Sequence, residues 1–321
     1  MSKIKLIDEV QFETEMKTIV EPFLAEKRKS GYFITFDNKN IHYEAYMRND
    51  AKANVIIMHG FTENIEKFWE MAYYFLQGNC NVFMYDQRGH GFSDRIYGKV
   101  GTVKIDSFDD YVKDLDVFIQ KIVLPMADGL PLYAYSHSLG STVALLYAQK
   151  NPYIFNKIVL SSPMICPNTG MPTALAEVMA KAICACAGKG LSVPGRCKFD
   201  PNETYEISDE TSKARFDYYH AKRLANVKYQ TQGPSFGWVK SALEASKKLL
   251  RNENCRKLEM PILMFQPQQD RQVLEEAQNE FAGKVKNIKN IYMRSCKHEI
   301  FASRNDVLEM YMDDTFSFFK L

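Results

Sequence analysis

Two rhythms of apolar and polar positions run along this chain, and the switching between them lays out its elements. Continuous apolar runs stand at residues 55–58, 82–85, 132–135, 158–160 and 262–265. Runs of this length without alternation predict strands covered on both faces. Between them lie segments with a helical period: 65–77, about 107–124, 142–149, a stretch ending near 283, and 307–319. In the second of these, Phe108, Val112, Leu115 and Ile119 share one face. Residues 32–36 and 41–46 are rich in β-formers and flank the turn-like Asp37-Asn38-Lys39-Asn40. They predict an antiparallel hairpin opening the sheet. The mixed charged and apolar residues 1–30 predict a helical extension ahead of it. A last strand is expected at 289–293.

Strand and helix alternate from 54 to 163, which predicts an α/β fold: a mostly parallel central sheet with helices on both faces. Ligands of such sheets bind at the carboxyl ends of the strands. Residues 165–253 break the alternation. Residues 174–187 are apolar and rich in small side chains, Pro194-Gly195, Asp200-Pro201 and Gly233-Pro234 punctuate the stretch, and 222–228 and 239–250 read as helices. An insertion this long carries structure of its own. The expected organisation is therefore a core first part at 1–164, a mainly helical cap at 165–253 and a core second part at 254–321.

Composition narrows the function. The net charge of +2 over 321 residues leaves no electrostatic footprint for nucleic acid. Seven irregularly spaced cysteines give no zinc pattern, and reduced thiols are the default. No leader segment and no run near the roughly 18 apolar residues of a membrane span is visible. The expected location is cytoplasmic. The apolar 171–187 stretch has two readings, packing of cap on core or peripheral contact with a membrane.

Chemistry concentrates at strand ends. The run at 132–135 stops in Ser136-His137-Ser138-Leu139-Gly140, and a helical run follows at once. This strand–turn–helix matches the nucleophile elbow G-x-S-x-G, with Ser136 in place of the first glycine. A serine hydroxyl needs a base, and the base needs an orienting acid. After Ser138 come only His220, inside the insertion, and His298, just past the last strand, so His298 is the candidate base. Asp270, in the loop after the 262–265 strand, is the candidate acid. Two backbone amides would form an oxyanion hole: Leu139, after the nucleophile, and Phe61, in the His59-Gly60-Phe61 loop. Gly60 and Gly140 permit close backbone approach, and His59 is expected to fix its loop rather than to carry protons. Glu299 is expected to point away from the base. His137 is read as packed into the sheet edge and His90 as holding a tight turn.

Taken in order, His59-Gly60, Asp86-Gln87-Arg88-Gly89-His90-Gly91-Phe92-Ser93, the elbow, Asp270-Arg271-Gln272-Val273 and Lys297-His298-Glu299 resemble the serine α/β-hydrolases of the monoacylglycerol lipase and bacterial lysophospholipase group. The resemblance covers most of 30–315 outside the insertion. It implies the triad Ser138, Asp270 and His298, the two oxyanion amides, a cap supplying an acyl pocket, and hydrolysis of the acyl ester of a monoacyl lipid with no metal or cofactor. Ser136, Ser141 and the residues Gln266 to Gln269 depart from the group's usual glycines. A short-chain esterase, thioesterase or aminopeptidase is the alternative on the same scaffold, and a non-catalytic binding protein the alternative from another class.

Overall fold

The computed structural model describes residues 4–96, 100–195 and 199–321. One sheet holds eight strands: β1 Arg28–Ile34, β2 Asn40–Tyr46, β3 Ala53–Met58, β4 Cys80–Tyr85, β5 Leu132–His137, β6 Lys157–Ser161, β7 Ile262–Pro267 and β8 Ile288–Met293. Their order across the sheet is β1-β2-β4-β3-β5-β6-β7-β8. Pairing is parallel from β4 through to β8, while β2 runs antiparallel to β4 and β1 antiparallel to β2. The expected α/β sheet with its opening hairpin is the fold observed.

The principal helices are α1 Trp69–Gln77, α2 Phe108–Phe118, α3 Leu139–Lys150, α4 Thr173–Ala187, α5 Lys213–Ala225, α6 Phe236–Leu249, α7 Glu275–Lys284 and α8 Asn305–Phe319. They cover both faces of the sheet. In β3, Ile56 and Met58 join a core with residues of α2, α3, α6 and α7, whereas Val55 and Ile57 join a second core with residues of α1 and α8. All six β3 residues are buried, which is why its sequence does not alternate. Helix α3 is buried from Leu139 to Gln149, so it too lacks a polar face.

Two expectations are corrected. The N-terminal extension is helical only through Lys27, and Arg28, Lys29 and Ser30 pair with Tyr46, Ala45 and Glu44. Their polarity resembles a helix end, but β1 is an edge strand, where exposed charge is normal. In the insertion, the helix placed at 222–228 runs instead over Lys213–Ala225. Ser212 caps it by accepting the Arg215 amide, and Arg215, which reads as a solvent residue, is buried. Helix α6 lies inside the stretch assigned to the insertion, yet Trp238, Ala242, Leu243 and Leu249 are buried in the same core as α2 and α3.

Candidate active site

Ser138 sits between β5 and α3 with φ 49° and ψ −115°. Such a backbone is strained for a residue with a side chain and persists only where its surroundings over-determine it. Here the Ser138 amide donates to the Ser161 carbonyl at 3.1 Å, and the Ser138 carbonyl accepts from Met164 at 3.1 Å and Ser141 at 3.0 Å. The departures from the elbow pattern have partners of their own. Ser136 Oγ donates to the Val159 carbonyl at 3.2 Å, and Ser141 Oγ to the Ser136 carbonyl at 3.0 Å. Gly140 has no such latitude. A Cβ there would stand 2.8 Å from the His59 carbonyl oxygen and closer still to that of Met58. Gly140→Ala is therefore expected to push α3 off the end of β3, lowering stability by about 2 kcal/mol, within the 1–3 kcal/mol of core overpacking, together with activity. Urea unfolding alongside ester turnover checks this, and an unchanged midpoint would contradict it.

The His298 imidazole meets Asp270 across 2.7 Å, from Nδ1 to Oδ2. The other Asp270 oxygen accepts the amides of Gln272 at 2.8 Å and Val273 at 3.2 Å, so the loop following β7 locks the carboxylate. The loop after β8 is held in turn by Ser162 Oγ, which donates to the His298 carbonyl at 2.5 Å. Burial acts most strongly on His298 and works to lower its pKa. The carboxylates of Asp270, Asp209 and Glu63 outweigh it, and the net shift is upward. With its Nδ1 proton directed to Asp270, the ring has Nε2 as its basic nitrogen. Ser138 and His298 line one cavity of about 470 Å³, although among the described residues no hydrogen bond joins them directly. Such bonds commonly close only with substrate in place.

Phe61 lines the same cavity. Its loop is pinned by His59, whose Nε2 accepts the Gln87 amide at 2.9 Å while Nδ1 donates to the Gly60 carbonyl at 2.8 Å. Burial lowers the His59 pKa, so the ring is a neutral strut. The Phe61 ring packs 4.4 Å from Trp238 and 5.7 Å from His90, centroid to centroid. Gly60 is required by space, since a Cβ would come within 2.8 Å of the His137 ring and 3.1 Å of Ser138 Cβ. His137 is fully enclosed, its ring 4.8 Å from that of His298 and its Nδ1 on the Ser161 carbonyl.

A buried charge cluster at the cavity floor was not foreseen. Lys67 Nζ meets Glu299 at 2.5 Å, Glu210 at 3.1 Å and Glu63 at 3.8 Å. Glu63 also accepts the Gly60 amide, in the loop that carries Phe61. Burial pushes Glu63 up to about 7 and Glu299 well above the ordinary range, while Lys67, working against burial, pulls Glu210 down to about 2. The Glu299 carboxylate is turned to Lys67 and lines the cavity. Lys67 and Glu63 have ordinary helix spacing, and three of the four groups come from separate segments, so sequence held no signal for their convergence. His220, inside the insertion, also lines the cavity.

A strained serine at a strand–helix turn, a histidine–aspartate pair from two later loops and this strand order together define an α/β-hydrolase. The chain belongs to the Hydrolase_4 family, serine aminopeptidase S33, whose model matches residues 49–305. It is 26% identical over 265 residues to a probable lysophospholipase L2 of Haemophilus influenzae, covering 79% of each chain. It is 23% identical to lysophospholipase L2 of Escherichia coli, over 91% of this chain and 88% of that one. Among solved structures, a soluble variant of the Saccharomyces cerevisiae monoglyceride lipase, in complex with a substrate analogue, superposes with a TM-score of 0.73 at 17% identity, over 91% of this chain and 94% of that one. The chain is an esterase of the lysophospholipase and monoglyceride lipase type.

Proposed function

We propose that this enzyme hydrolyses the acyl ester of a monoacyl lipid, a lysophospholipid or a monoacylglycerol, through a Ser138–His298–Asp270 triad and an acyl-enzyme. The observation that carries the reading is the mixed lining of the cavity. Met164, Ala176, Met179, Phe236, Trp238 and Val239 contribute apolar surface, and Glu203, Asp209, Glu210, His220 and Arg223 contribute polar groups. An amphiphile with one chain and one head needs both kinds of lining.

His298 Nε2 takes the Ser138 proton as Oγ attacks the ester carbonyl, and the Phe61 and Leu139 amides receive the oxyanion. Each donor contributes about 3 kcal/mol. The alcohol leaves with the proton from His298. Water, deprotonated by the same ring, then releases the fatty acid and restores Ser138. No metal or cofactor enters these steps.

The stretch from about residue 165 to 253 serves as the cap over this cavity, with α6 joining it to the core. Among the described residues no helix is long and apolar enough to cross a membrane. Leu175, Val178 and Met179 on α4 are exposed, with Val178 at 65%, and supply a surface for peripheral contact with a bilayer.

Hydrolysis of a panel tests the reading: lysophosphatidylethanolamine, monoacylglycerol, p-nitrophenyl butyrate and an aminoacyl amide. Preference for the monoacyl lipids is expected. Turnover confined to the short ester or the amide would refute the substrate assignment.

The pH profile is a second test. Only neutral His298 is a base, and its pKa is raised. Activity should therefore rise with pH through a midpoint above the ordinary histidine value and fall away on acidification. Asp270→Asn removes the nearest raising carboxylate. It should move that midpoint down and cut kcat by about 10⁴-fold. A midpoint unmoved by the substitution would contradict the pairing.

A further inference from the structure

We infer that Arg223, with Glu203 and His220, forms a subsite for the phosphodiester of a zwitterionic lysophospholipid head group; this rests on the monoacyl-lipid reading above. Arg223 and His220 lie three apart on α5, one above the other on a single face, and both line the cavity that contains Ser138. The guanidinium is only partly satisfied. Nη1 donates to Glu203 Oε2 at 2.7 Å and Nη2 to the Gln232 side-chain oxygen at 2.9 Å, while Nε has no partner. The edge formed by Nε and Nη2 suits two oxygens of one phosphate, and a neutral amide supplies a single oxygen there. Gln232 also faces the cavity, so a phosphate can displace its side chain and fill both positions. The Phe199 ring lies under the guanidinium, 4.5 Å from its carbon, and sets the plane of the fork.

His220 stacks on Phe216 with 10° between the rings, and its Nε2 donates to the Pro201 carbonyl at 3.2 Å. That fixes the tautomer and leaves the unpartnered Nδ1 as an acceptor, matched to a hydroxyl of the glycerol unit. Glu203 remains on Nη1 and lines the same cavity. The Arg223–Glu203 pair is formally neutral, so a phosphate arriving alone leaves one negative charge uncompensated. A head group that brings its own ammonium restores neutrality beside Glu203. The subsite therefore selects phosphoethanolamine or phosphocholine heads over phosphoglycerol.

The test compares kcat/KM of the full-length enzyme on lysophosphatidylethanolamine, lysophosphatidylglycerol and monoacylglycerol with one acyl chain, for the wild type and Arg223→Gln. The wild type should prefer the ethanolamine lipid to the glycerol lipid. The substitution should lower the ratio of ethanolamine-lipid to monoacylglycerol efficiency by about tenfold or more, the weight of a charge-assisted pair. Glycerophosphoethanolamine should competitively inhibit hydrolysis of p-nitrophenyl butyrate in the wild type and correspondingly less in the variant. Both lipids losing efficiency in proportion would mark Arg223 as structural and overturn the subsite. So would a wild-type preference for the phosphoglycerol head, which needs no variant to measure. A wild type that cleaves the short ester but none of the three monoacyl lipids would refute the parent reading, and the subsite with it.

Discussion

Ser138→Ala is expected to lower kcat for ester hydrolysis by about five to six orders of magnitude, the loss that follows removal of a triad nucleophile. Neither His137 nor Cys166 can replace it. His137 is enclosed and its pKa lies well below the ordinary value, chiefly through burial. Cys166 is buried and its thiol pKa is raised, again chiefly through burial, so it supplies no thiolate. The fold should survive the change, because the backbone groups of residue 138 make the bonds that hold the elbow. Ser138→Gly separates strain from chemistry. Glycine adopts φ 49° without penalty, so this variant should be equally inactive yet more stable by about 1 kcal/mol or somewhat more. Steady-state kinetics and urea unfolding on the two variants check both halves, and turnover near the wild-type rate in either would refute the mechanism.

Arg215→Met is expected to cost about 3–5 kcal/mol of stability, the range for breaking a buried ion pair by removing one partner. Arg215 donates to both Glu70 oxygens, from Nη2 at 2.6 Å and from Nε at 2.9 Å, and it also reaches the Ser303 carbonyl at 3.0 Å and Asn305 at 2.9 Å. Its guanidinium stacks on Phe12 at 4.8 Å. One side chain of the insertion thus ties α5 to α1, to the start of α8 and to the N-terminal helical segment. Methionine fills the volume but leaves the Glu70 carboxylate without its cation. Arg215→Met combined with Glu70→Leu should recover a large part of the loss, since the penalty arises from the stranded charge. A single-variant loss below about 1 kcal/mol would mean that the pair behaves as a surface salt bridge.

The fold was legible because five strands pass through an interior buried on both faces and have no room for polar alternation. That Ser138, Asp270 and His298 would be brought together was legible because strand carboxyl ends, chain order and an elbow of small residues constrain them separately. The first strand was misplaced because an edge strand tolerates the charges of Arg28 and Lys29. Helix α5 was placed too late because its buried contacts are made by Arg215, Phe216, Tyr218 and Tyr219, which are bunched in one turn and give no extended apolar stripe. The Lys67–Glu63–Glu210–Glu299 cluster and the Arg223 corner lay beyond reach for one reason. Their meaning depends on which distant segments meet, and a charged residue has the same letter whether it faces water or a cavity.

The most direct measurement is trapping with a long-chain alkyl fluorophosphonate, followed by mass spectrometry of the digested protein. A single stoichiometric adduct on the peptide containing Ser138, absent in Ser138→Ala and slowed by monoacyl lipid, is the predicted result. An adduct on another residue, or none at all in an enzyme that still hydrolyses these lipids, would contradict the assignment of Ser138 as the nucleophile.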